Sequence, residues 1–473
     1  MKALVMGLGL HGGGLESARF LLKRGAAVTV TDLRDEKTLG PSIEQLDGIC
    51  SEMGLKPVRY ILGKHEIEDF KEADIVIKNP GVRPDSPYLK VSKRTETDLS
   101  LFLAESPARL FTVTGTKGKS GTTSALHWIL NTDRKTGRAF LGGNITVSPL
   151  TFLDELTEKD DVVLELSSFQ LGDIKNRPFK PAAAVLTSIM RDHLDRYASM
   201  EEYIDDKRNI YRGQDSSCIT VAGDDDWGKS FHTESKARAV TWSFRQSFQS
   251  PLSDGQSGGW ITPAGAGLAR FYNWPLVSEE IAELVPAQTL VPGSHQKLNM
   301  LCAALAAYGL GVEAQTIFGA LSAFPGIEHR LEFFHESAGV RFYNDSAATI
   351  PEAAAACIEA LSANSSSSGG LVLVTGGTDK NLDFSPLAKA VKNTKAIILL
   401  AGTGSEKLKT LLDDTGISYS GPFDNLDKAV QCAAGKAAAG DNVALSPGCA
   451  SFGMFVNEFD RGRKWKEAVK KLC

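Results

Sequence analysis

The sequence feature that most constrains the fold is a glycine-rich loop between a strand-like stretch and a helix-like stretch. Apolar residues run from 108 to 113, and a helical pattern covers residues 122–130. The loop between them reads Val113-Thr-Gly-Thr-Lys-Gly-Lys-Ser-Gly-Thr-Thr123. A strand, a tight glycine loop and a helix in this order are typical of an α/β domain built on a parallel sheet.

The same loop predicts a site for a nucleoside triphosphate. Small residues let backbone N–H groups surround a phosphate, and the helix start adds the positive end of its dipole. Lys119 can contact the outer phosphates, and the Ser120 hydroxyl can bind Mg²⁺. The spacing is shorter than a full P-loop because its first glycine would fall at Val113, so a loop without function stays an alternative. The candidate nucleotide-binding residues here are Gly115, Thr116, Lys117, Gly118, Lys119, Ser120, Gly121 and Thr122.

Length and composition set limits on the class of protein. A chain of 473 residues is too long for one hydrophobic core, so several domains are expected. The net charge of −5 gives no basic surface for nucleic acid or an anionic membrane. Seven cysteines without a C-x-x-C pair predict neither a disulfide framework nor a zinc site. With no signal peptide and no apolar run of about 18 residues, we expect a cytoplasmic protein without a membrane partner.

Short apolar runs alternate with helical patterns along most of the chain, which predicts parallel sheets covered by helices. Strands are expected at 2–6, 27–31, 73–77, 108–113, 162–166, 183–186, 218–222, 331–342, 371–375, 396–401 and 442–445. Helices are expected at 15–24, 122–130, 200–212, 298–308 and 313–323. Residues 243–275 read as a β-rich insertion and residues 362–370 as a serine-rich surface loop. The predicted fold class is α/β with three domains, at 1–106, 107–325 and 326–473.

A second glycine motif lies at the N-terminus. Residues Gly7-Leu-Gly-Leu-His-Gly12 match G-x-G-x-x-G between a strand and a helix, and Asp32 follows about 20 residues later. Alone, this pattern predicts an NAD-dependent dehydrogenase. The same geometry suits any nucleotide diphosphate, including a UDP-sugar, because it recognises pyrophosphate rather than nicotinamide. No later stretch offers a hydride-transfer site, which favours the second interpretation.

Five further stretches join the phosphate loop in a specific combination. They are Glu165-Leu-Ser-Ser-Phe-Gln170, Asp192-His-Leu-Asp-Arg-Tyr197, Gly293-Ser-His295 with Asn299, Gly326-x-x-His-Arg-x-Glu332 with Asn344-Asp-Ser346, and Ser446-Pro-Gly-Cys-Ala-Ser451. In this order and spacing the chain resembles the Mur ligase superfamily over almost its whole length. Within the superfamily it is most similar to the branch that adds glutamate. The folate polyglutamate ligases, another branch, lack an N-terminal nucleotide-binding domain of this kind.

The resemblance implies an ATP-dependent ligase with a division of labour among three domains. The N-terminal domain would be Rossmann-like and bind UDP. The central domain would be of the P-loop type and bind ATP, and the C-terminal domain would be Rossmann-like and bind the amino acid. The implied reaction joins glutamate, preferably D-glutamate, to UDP-N-acetylmuramoyl-L-alanine through an acyl phosphate, during peptidoglycan precursor synthesis. Ligation of L-glutamate is the alternative. The implied partners are these small molecules, and a monomer is expected.

The resemblance also implies roles for individual residues. Lys119, Glu165, His193, Lys207 and Arg330 would be catalytic, and two Mg²⁺ ions would be held by Ser120, Glu165, His193 and a carbamylated Lys207. Asn299 would face the adenine, Arg330 the γ-phosphate and Asp345 the nucleotide. The implied substrate-binding residues are Gly9, Asp32, Arg34, Asn79, Gly81, Asn144, Ser167, Gln170, Ser446 and Ser451.

Some of these residues have simpler interpretations. Lys207 lies among acidic and basic residues and can be interpreted as a solvated surface charge. Arg330 can be interpreted as half of a surface ion pair with Glu332, and Ser451 as the cap of a helix. Ser446 and Ser451 are expected after a strand, at the start of a helix. The chain also departs from the family at 345–349, where Ala347 replaces the lysine expected beside the incoming glutamate. Lys380, Arg461 or Arg463 could supply the missing charge.

Overall fold

The structure is a computed structural model that describes residues 1–9, 12–133, 137–145, 147–193, 196–277, 281–363 and 369–472. The chain divides into two compact units. One comprises Met1–Ala287 and Leu298–Leu321, and the other comprises Gln288–Lys297 and Ser322–Cys473. Within the described ranges, no helix combines the length and the apolar character needed to cross a membrane.

The N-terminal part folds around a five-stranded sheet. Its strands are β1 (Lys2–Met6), β2 (Ala27–Asp32), β3 (Arg59–Leu62), β4 (Ile75–Lys78) and β5 (Thr95–Glu96). Its helices are α1 (Gly13–Lys23), α2 (Glu36–Glu52), α3 (Ile67–Glu72), α4 (Pro87–Lys90) and α5 (Asp98–Glu105). All neighbours in the order β3-β2-β1-β4-β5 are parallel. The order reverses beside β1, and ligands of such sheets bind at that point, outside the carboxyl ends of the strands.

The central part contains a nine-stranded sheet in the order β14-β13-β12-β11-β10-β9-β6-β8-β7. Its strands are β6 (Arg109–Thr114), β7 (Ala139–Gly143), β8 (Asp161–Glu165), β9 (Ala183–Leu186), β10 (Ile219–Gly223), β11 (Arg238–Ser243), β12 (Gly258–Ile261), β13 (Gly267–Arg270) and β14 (Ile281–Val285). Its helices are α6 (Lys119–Asp133), α7 (Ser168–Asp173), α8 (Met200–Arg208) and α9 (Asp226–Glu234), followed by α10 (Ser294–Gly309) and α11 (Ala314–Ser322). The β-rich segment expected at 243–275 is confirmed by β12 and β13, but these strands extend the main sheet, with antiparallel pairing from β12 to β14.

The C-terminal part has a six-stranded sheet in the order β15-β16-β20-β17-β18-β19. Its strands are β15 (Glu332–Ser337), β16 (Val340–Asn344), β17 (Leu371–Thr375), β18 (Ala396–Leu400), β19 (Ser420–Phe423) and β20 (Asn442–Leu445). Its helices are α12 (Pro351–Ala363), α13 (Ser385–Ala390), α14 (Thr403–Asp414), α15 (Leu426–Lys436) and α16 (Glu458–Leu472). The serine-rich loop expected at 362–370 lies largely outside the described residues.

The prediction of one strand over 331–342 is wrong, because β15 and β16 form a hairpin there. The turn residues Ala338 and Gly339 have φ values of 50° and 75°. Positive φ at both central residues is the geometry of a tight two-residue hairpin turn. The expectation of parallel sheets does not hold for this antiparallel pair or for β12–β14.

Some strands of the central and C-terminal sheets are buried along their whole length. Every residue of β8, β9 and β17 is buried. Strands of this kind are covered by helices on both faces. Functional side chains are therefore expected at the carboxyl ends of these strands rather than on the faces of the sheets.

Candidate functional site

A cleft of about 580 Å³ opens at the carboxyl ends of β1, β2 and β4. It brings together the five residues expected to bind UDP, namely Gly9, Asp32, Arg34, Asn79 and Gly81. The Asp32 carboxylate accepts hydrogen bonds from Gly9 N at 3.3 Å and from Arg34 N at 2.9 Å. Leu10 and His11 of the glycine motif lie outside the described residues. The cleft has the position and the glycine-lined wall that suit a nucleotide diphosphate.

The glycine motif alone does not account for this cleft. A Cβ on Gly14 would lie 2.0 Å from Gly7 O, so only glycine lets α1 start this close to β1. His65 also lines the cleft, and its Nδ1 lies 2.7 Å from Thr31 Oγ1. Neither residue was singled out from the sequence. Gly14 carried a signal, as a third glycine at the helix start, whereas a lone histidine in a loop carried none.

The phosphate loop follows β6 directly and is built around glycines. Gly115 has a φ of 146°, and a Cβ there would lie 1.9 Å from Thr187 Oγ1. Helix α6 begins at Lys119, three residues before the predicted start, so Ser120 and Gly121 lie in its first turn. The first N–H groups of a helix have no partner within the helix and are available to an anion. The loop therefore has the geometry expected for binding phosphate.

The other loop residues are placed in different ways. The Thr116 side chain is buried, and its Oγ1 lies 3.0 Å from the Tyr203 hydroxyl, so it supports the loop from behind. Lys117 is exposed. Thr122 is buried, and in the described part of the chain its Oγ1 has no hydrogen-bond partner. Asn299 lies against the loop, because a Cβ on Gly118 would come within 2.5 Å of its Oδ1.

Lys119 and Lys207 meet at one carbonyl of this loop. Gly115 O accepts hydrogen bonds from Lys119 Nζ at 3.0 Å and from Lys207 Nζ at 2.8 Å. Lys207 is only 1% exposed, so its interpretation as a solvated charge is wrong. Burial, together with the positive charge of Lys119, lowers the pKa of Lys207 from 10.5 to about 7. The structure thus provides a buried lysine that is partly neutral near pH 7.

Glu165 is the last residue of β8 and pairs with Val113 of β6, directly before the phosphate loop. Its side chain is 2% exposed, and its Oε1 accepts a hydrogen bond from Asn144 Nδ2 at 2.8 Å. Its Oε2 is buried and has no hydrogen-bond partner among the residues that the structure describes. A buried carboxylate oxygen of this kind is a suitable ligand for a hard cation such as Mg²⁺. Asn144 supports this carboxylate.

Ser167 and Gln170, both expected to contact substrate, form the cap of α7. Ser167 Oγ accepts from Gln170 N at 3.2 Å, and Gln170 Oε1 accepts from Ser167 N at 3.0 Å. This reciprocal capping box fixes the start of the helix that follows Glu165. The sequence signal Ser-x-x-Gln is explained by this cap.

His193 lies at the edge of the same region and has an unusual backbone conformation. Its φ is 54°, its side chain is exposed, and its ring centroid lies 5.0 Å from that of Phe169. A positive φ costs energy for a residue with a Cβ and often occurs at functional sites. Asp195, which belongs to the same sequence stretch as His193, lies outside the described residues.

The remaining predicted residues belong to the second unit. Arg330 is exposed, while Asp345, Ser446 and Ser451 are buried. The Asp345 carboxylate accepts from Leu331 N at 3.0 Å and from Ser446 Oγ at 2.7 Å. Burial raises the pKa of Asp345 to about 6.

The expectation that Ser446 and Ser451 start a helix is wrong. The chain runs through turns after β20, and the next described helix begins at Glu458. The Ser446 hydroxyl instead donates a hydrogen bond to the buried Asp345 carboxylate. The cap interpretation of Ser451 does not hold for α16, whose start lies seven residues further on.

Glu332 was the partner expected for Arg330 in a surface ion pair. Its carboxylate forms an ion pair with Lys466 Nζ at 2.8 Å.

Three cations were candidates to offset the loss of a lysine at Ala347. Lys380 and Arg463 are exposed. Arg461 is 1% exposed, and its guanidinium donates to Ser346 O at 2.8 Å and to Ser346 Oγ at 3.0 Å. Among the described residues, no carboxylate forms an ion pair with Arg461. Arg461 therefore brings a buried positive charge to the residue that precedes Ala347.

The raised pKa of Asp345 predicts a pH dependence of stability. Between pH 3.8 and about 6 the folded chain keeps a proton that the unfolded chain loses, so the contribution of Asp345 to stability falls as pH rises. An Asp345→Asn variant lacks this carboxyl group. We expect its melting temperature, relative to wild type, to increase from pH 4 to pH 6 in thermal unfolding followed by circular dichroism. Parallel curves for the two proteins would contradict this expectation.

Comparisons with known proteins cover nearly the whole chain. Residues 1–99 match the family model described as "Mur ligase MurD-like, N-terminal domain", residues 113–307 "Mur ligase middle domain", and residues 329–449 "Mur ligase, glutamate ligase domain". The chain is 40% identical to the UDP-N-acetylmuramoylalanine--D-glutamate ligase of Borreliella afzelii, covering 100% of this chain and 98% of that protein. It is 37% identical to the ligase of the same name from Treponema pallidum, and the match covers 98% of this chain and 97% of that protein.

Solved structures show the same fold. UDP-N-acetylmuramate-alanine ligase MurC from Thermotoga maritima matches with a TM-score of 0.56 at 19% identity, covering 100% of both chains. MurF ligase from the same organism, in complex with ADP, matches with a TM-score of 0.51 at 18% identity, covering 85% of this chain and 90% of that chain.

Proposed function

Because this chain belongs to the Mur ligase family, we propose that it joins D-glutamate to UDP-N-acetylmuramoyl-L-alanine with consumption of ATP. The observation that carries the proposal is that one compact unit holds both a cleft suited to a nucleotide diphosphate and a phosphate loop. Two full-length relatives, from Borreliella afzelii and Treponema pallidum, are named as D-glutamate ligases, and this supports the choice of isomer.

The chemistry requires that a carboxylate be activated before an amine can attack it. Transfer of the γ-phosphoryl group of ATP to the terminal carboxylate of the sugar nucleotide gives an acyl phosphate and ADP. The glutamate amine then attacks the carbonyl carbon, and the tetrahedral intermediate expels phosphate. Since two anions must approach in the first step, the chain has to neutralise charge and align the reactants.

The residues of the central sheet edge suit this task. Lys119 would hold the β- and γ-phosphates, with the backbone of 115–121 around them and Asn299 beside the adenine. Ser120, Glu165 and His193 would hold Mg²⁺, and the buried Oε2 of Glu165, which has no hydrogen-bond partner among the described residues, supports a cation there. When bound, Mg²⁺ would supply positive charge that offsets the repulsion of the phosphates and the substrate carboxylate.

We also propose that Lys207 is carbamylated. Its neutral amine would form a C–N bond with the carbon of CO₂, and the proton lost from nitrogen would pass to solvent. The product is an anionic carbamate in place of a cation, and this removes the repulsion between Lys119 and Lys207 at Gly115 O. Its oxygens would serve as additional metal ligands.

Each of the three predicted domains would bind a different substrate. Residues 1–106 would bind the UDP moiety, residues 107–325 would bind ATP, and residues 326–473 would bind the amino acid. The substrate-contacting residues of this last domain would be Arg330, Asp345, Ser446 and Ser451. Arg461 is the cation best placed to offset the lysine missing at Ala347. The protein would act as a monomer in the cytoplasm, where ATP and UDP-sugars are available.

The direct test is an assay of the purified protein with UDP-N-acetylmuramoyl-L-alanine, ATP and Mg²⁺. D-glutamate, L-glutamate and D-lysine are compared, and ADP, phosphate and the amide product are quantified. We expect turnover with D-glutamate and equal amounts of the three products. Turnover with L-glutamate alone would overturn the choice of isomer. Absence of turnover, together with binding of NAD(H) detected by fluorescence, would favour a dehydrogenase.

A further inference from the structure

A short turn, residues 79–82, lines the nucleotide cleft, and its carbonyl groups accept hydrogen bonds from two cations. Asn79, Gly81 and Val82 line the cleft. Lys78 Nζ donates to Val82 O at 3.0 Å. Arg196 donates to Gly81 O and to Pro80 O, each at 3.3 Å. Three consecutive carbonyl groups of the turn are thus bound by positively charged donors.

Both cations are also anchored on helix α7 of the central part. Lys78 Nζ lies 2.6 Å from Asp173 Oδ2, at the end of this helix. The Arg196 guanidinium carbon lies 3.7 Å from the centroid of the Phe169 ring, near its start. Helix α7 begins three residues after Glu165, the candidate metal ligand. These contacts connect a wall of the nucleotide cleft with the element next to the ATP site.

The pair of Lys78 and Asp173 is costly to bury. Their side chains are 4% and 3% exposed. Burial lowers the pKa of Lys78 and raises the pKa of Asp173 to about 6, while the attraction between the two charges opposes both shifts. Arg196 and Asp98 are the other charged groups acting on Lys78. A buried ion pair is often no more stabilising than apolar residues of similar size, so stability alone does not account for this one.

We propose that Lys78 and Arg196 are positioning residues that hold the 79–82 turn in the shape that binds the sugar nucleotide, with Asp173 and Phe169 as their anchors. This inference rests on the proposed function, because it assigns the cleft to that substrate. Charged donors form the stronger hydrogen bonds in proteins, so their removal loosens the turn. The effect is expected on the sugar nucleotide and not on ATP, whose loop these residues do not contact.

The test separates positioning from simple stabilisation. Lys78→Met leaves Asp173 buried without a partner, and Lys78→Met combined with Asp173→Leu removes that penalty. We expect the melting temperature to fall in the single variant and to recover in the double variant. The Kd for UDP-N-acetylmuramoyl-L-alanine, measured by isothermal titration calorimetry, should rise about 10-fold or more in both. The KM for this substrate should follow, while the KM for ATP stays within about twofold.

Two further variants complete the experiment. Arg196→Lys keeps the charge but cannot reach two carbonyl groups as a planar fork, so it should also weaken binding of the sugar nucleotide. Lys90→Met, which removes an exposed lysine on α4, is the matched control and should bind like wild type.

Three outcomes would count against the inference or its premise. Recovery of the Kd together with the melting temperature in the double variant would show a purely structural role. Unchanged binding in Lys78→Met and Arg196→Lys would overturn the inference while leaving the proposed function intact. A wild-type protein that does not bind the sugar nucleotide would overturn both.

Discussion

Replacing Lys119 with methionine is expected to lower kcat for ligation by about 10²–10³-fold, the loss typical when one donor to developing charge is removed. Lys119 Nζ lies on the phosphate loop, where it bonds Gly115 O and Thr116 O. Methionine keeps the length and apolar stem of the side chain but carries no charge. The measurement is ADP formation with all substrates at saturation. Binding of the sugar nucleotide, which uses a separate cleft, should be unchanged.

Lys117→Met is the matched control for this experiment. Only the backbone of Lys117 is assigned to the phosphates; its side chain is 73% exposed, and its Nζ lies 3.9 Å from the Asp192 carboxylate. Exposed pairs at such distances contribute little, so we expect kcat within a few-fold of wild type. Equal losses in both variants would show that general loop charge, rather than the position of Lys119, is what matters.

Replacing Lys207 with methionine is expected to abolish most of the ligation activity and to change the pH dependence of stability. If a carbamate forms on Lys207, wild-type activity should fall in CO₂-depleted buffer and return when bicarbonate is added, whereas Lys207→Met should not respond. Incubation with ¹³C-bicarbonate should give a carbamate signal in the NMR spectrum of wild type. An active Lys207→Met variant would contradict the proposed role.

The stability measurement for Lys207 is independent of catalysis. In CO₂-free buffer the folded chain releases the Lys207 proton near pH 7, while the unfolded chain keeps it up to about pH 10.5. Since the unfolded state then binds more protons, wild-type stability should rise with pH across this window. The advantage of Lys207→Met in melting temperature should therefore shrink from pH 7 to pH 10. Lys229→Met, at an exposed lysine on α9, should show no such trend.

Strong local patterns in the sequence were sufficient for most strands of the sheets. The apolar runs that became β1, β9, β17 and β20 have the bounds 2–6, 183–186, 371–375 and 442–445, as predicted. Apart from Lys2 and Asn442 at the strand starts, their residues are buried, so the sequence is almost continuously apolar there. Short edge strands such as β5 and β19 were not predicted. An edge strand has a neighbouring strand on one side only, so its sequence need not be continuously apolar. The hairpin at Ala338 and Gly339 was missed because its turn interrupts the apolar pattern by only two residues.

Placement of the candidate site depended on contacts between distant residues. The five residues assigned to UDP line one cleft, because strand ends of a parallel sheet meet at one edge. Asp173 carried no signal in the sequence, since its role depends on Lys78, 95 positions earlier, reaching the same buried position. Lys78 did carry one, as a charged residue at the end of an apolar strand.

By itself the sequence determined the family, the α/β class and the positions of the glycine loops, because these depend on residue types at short, fixed spacings. The tertiary structure decided which groups are buried together. It places Lys207 beside Lys119 at one carbonyl and leaves Glu165 Oε2 without a hydrogen-bond partner among the described residues. Burial and proximity set the charge state of such groups, and neither follows from local sequence, since both are produced by chain segments that are far apart until the protein folds.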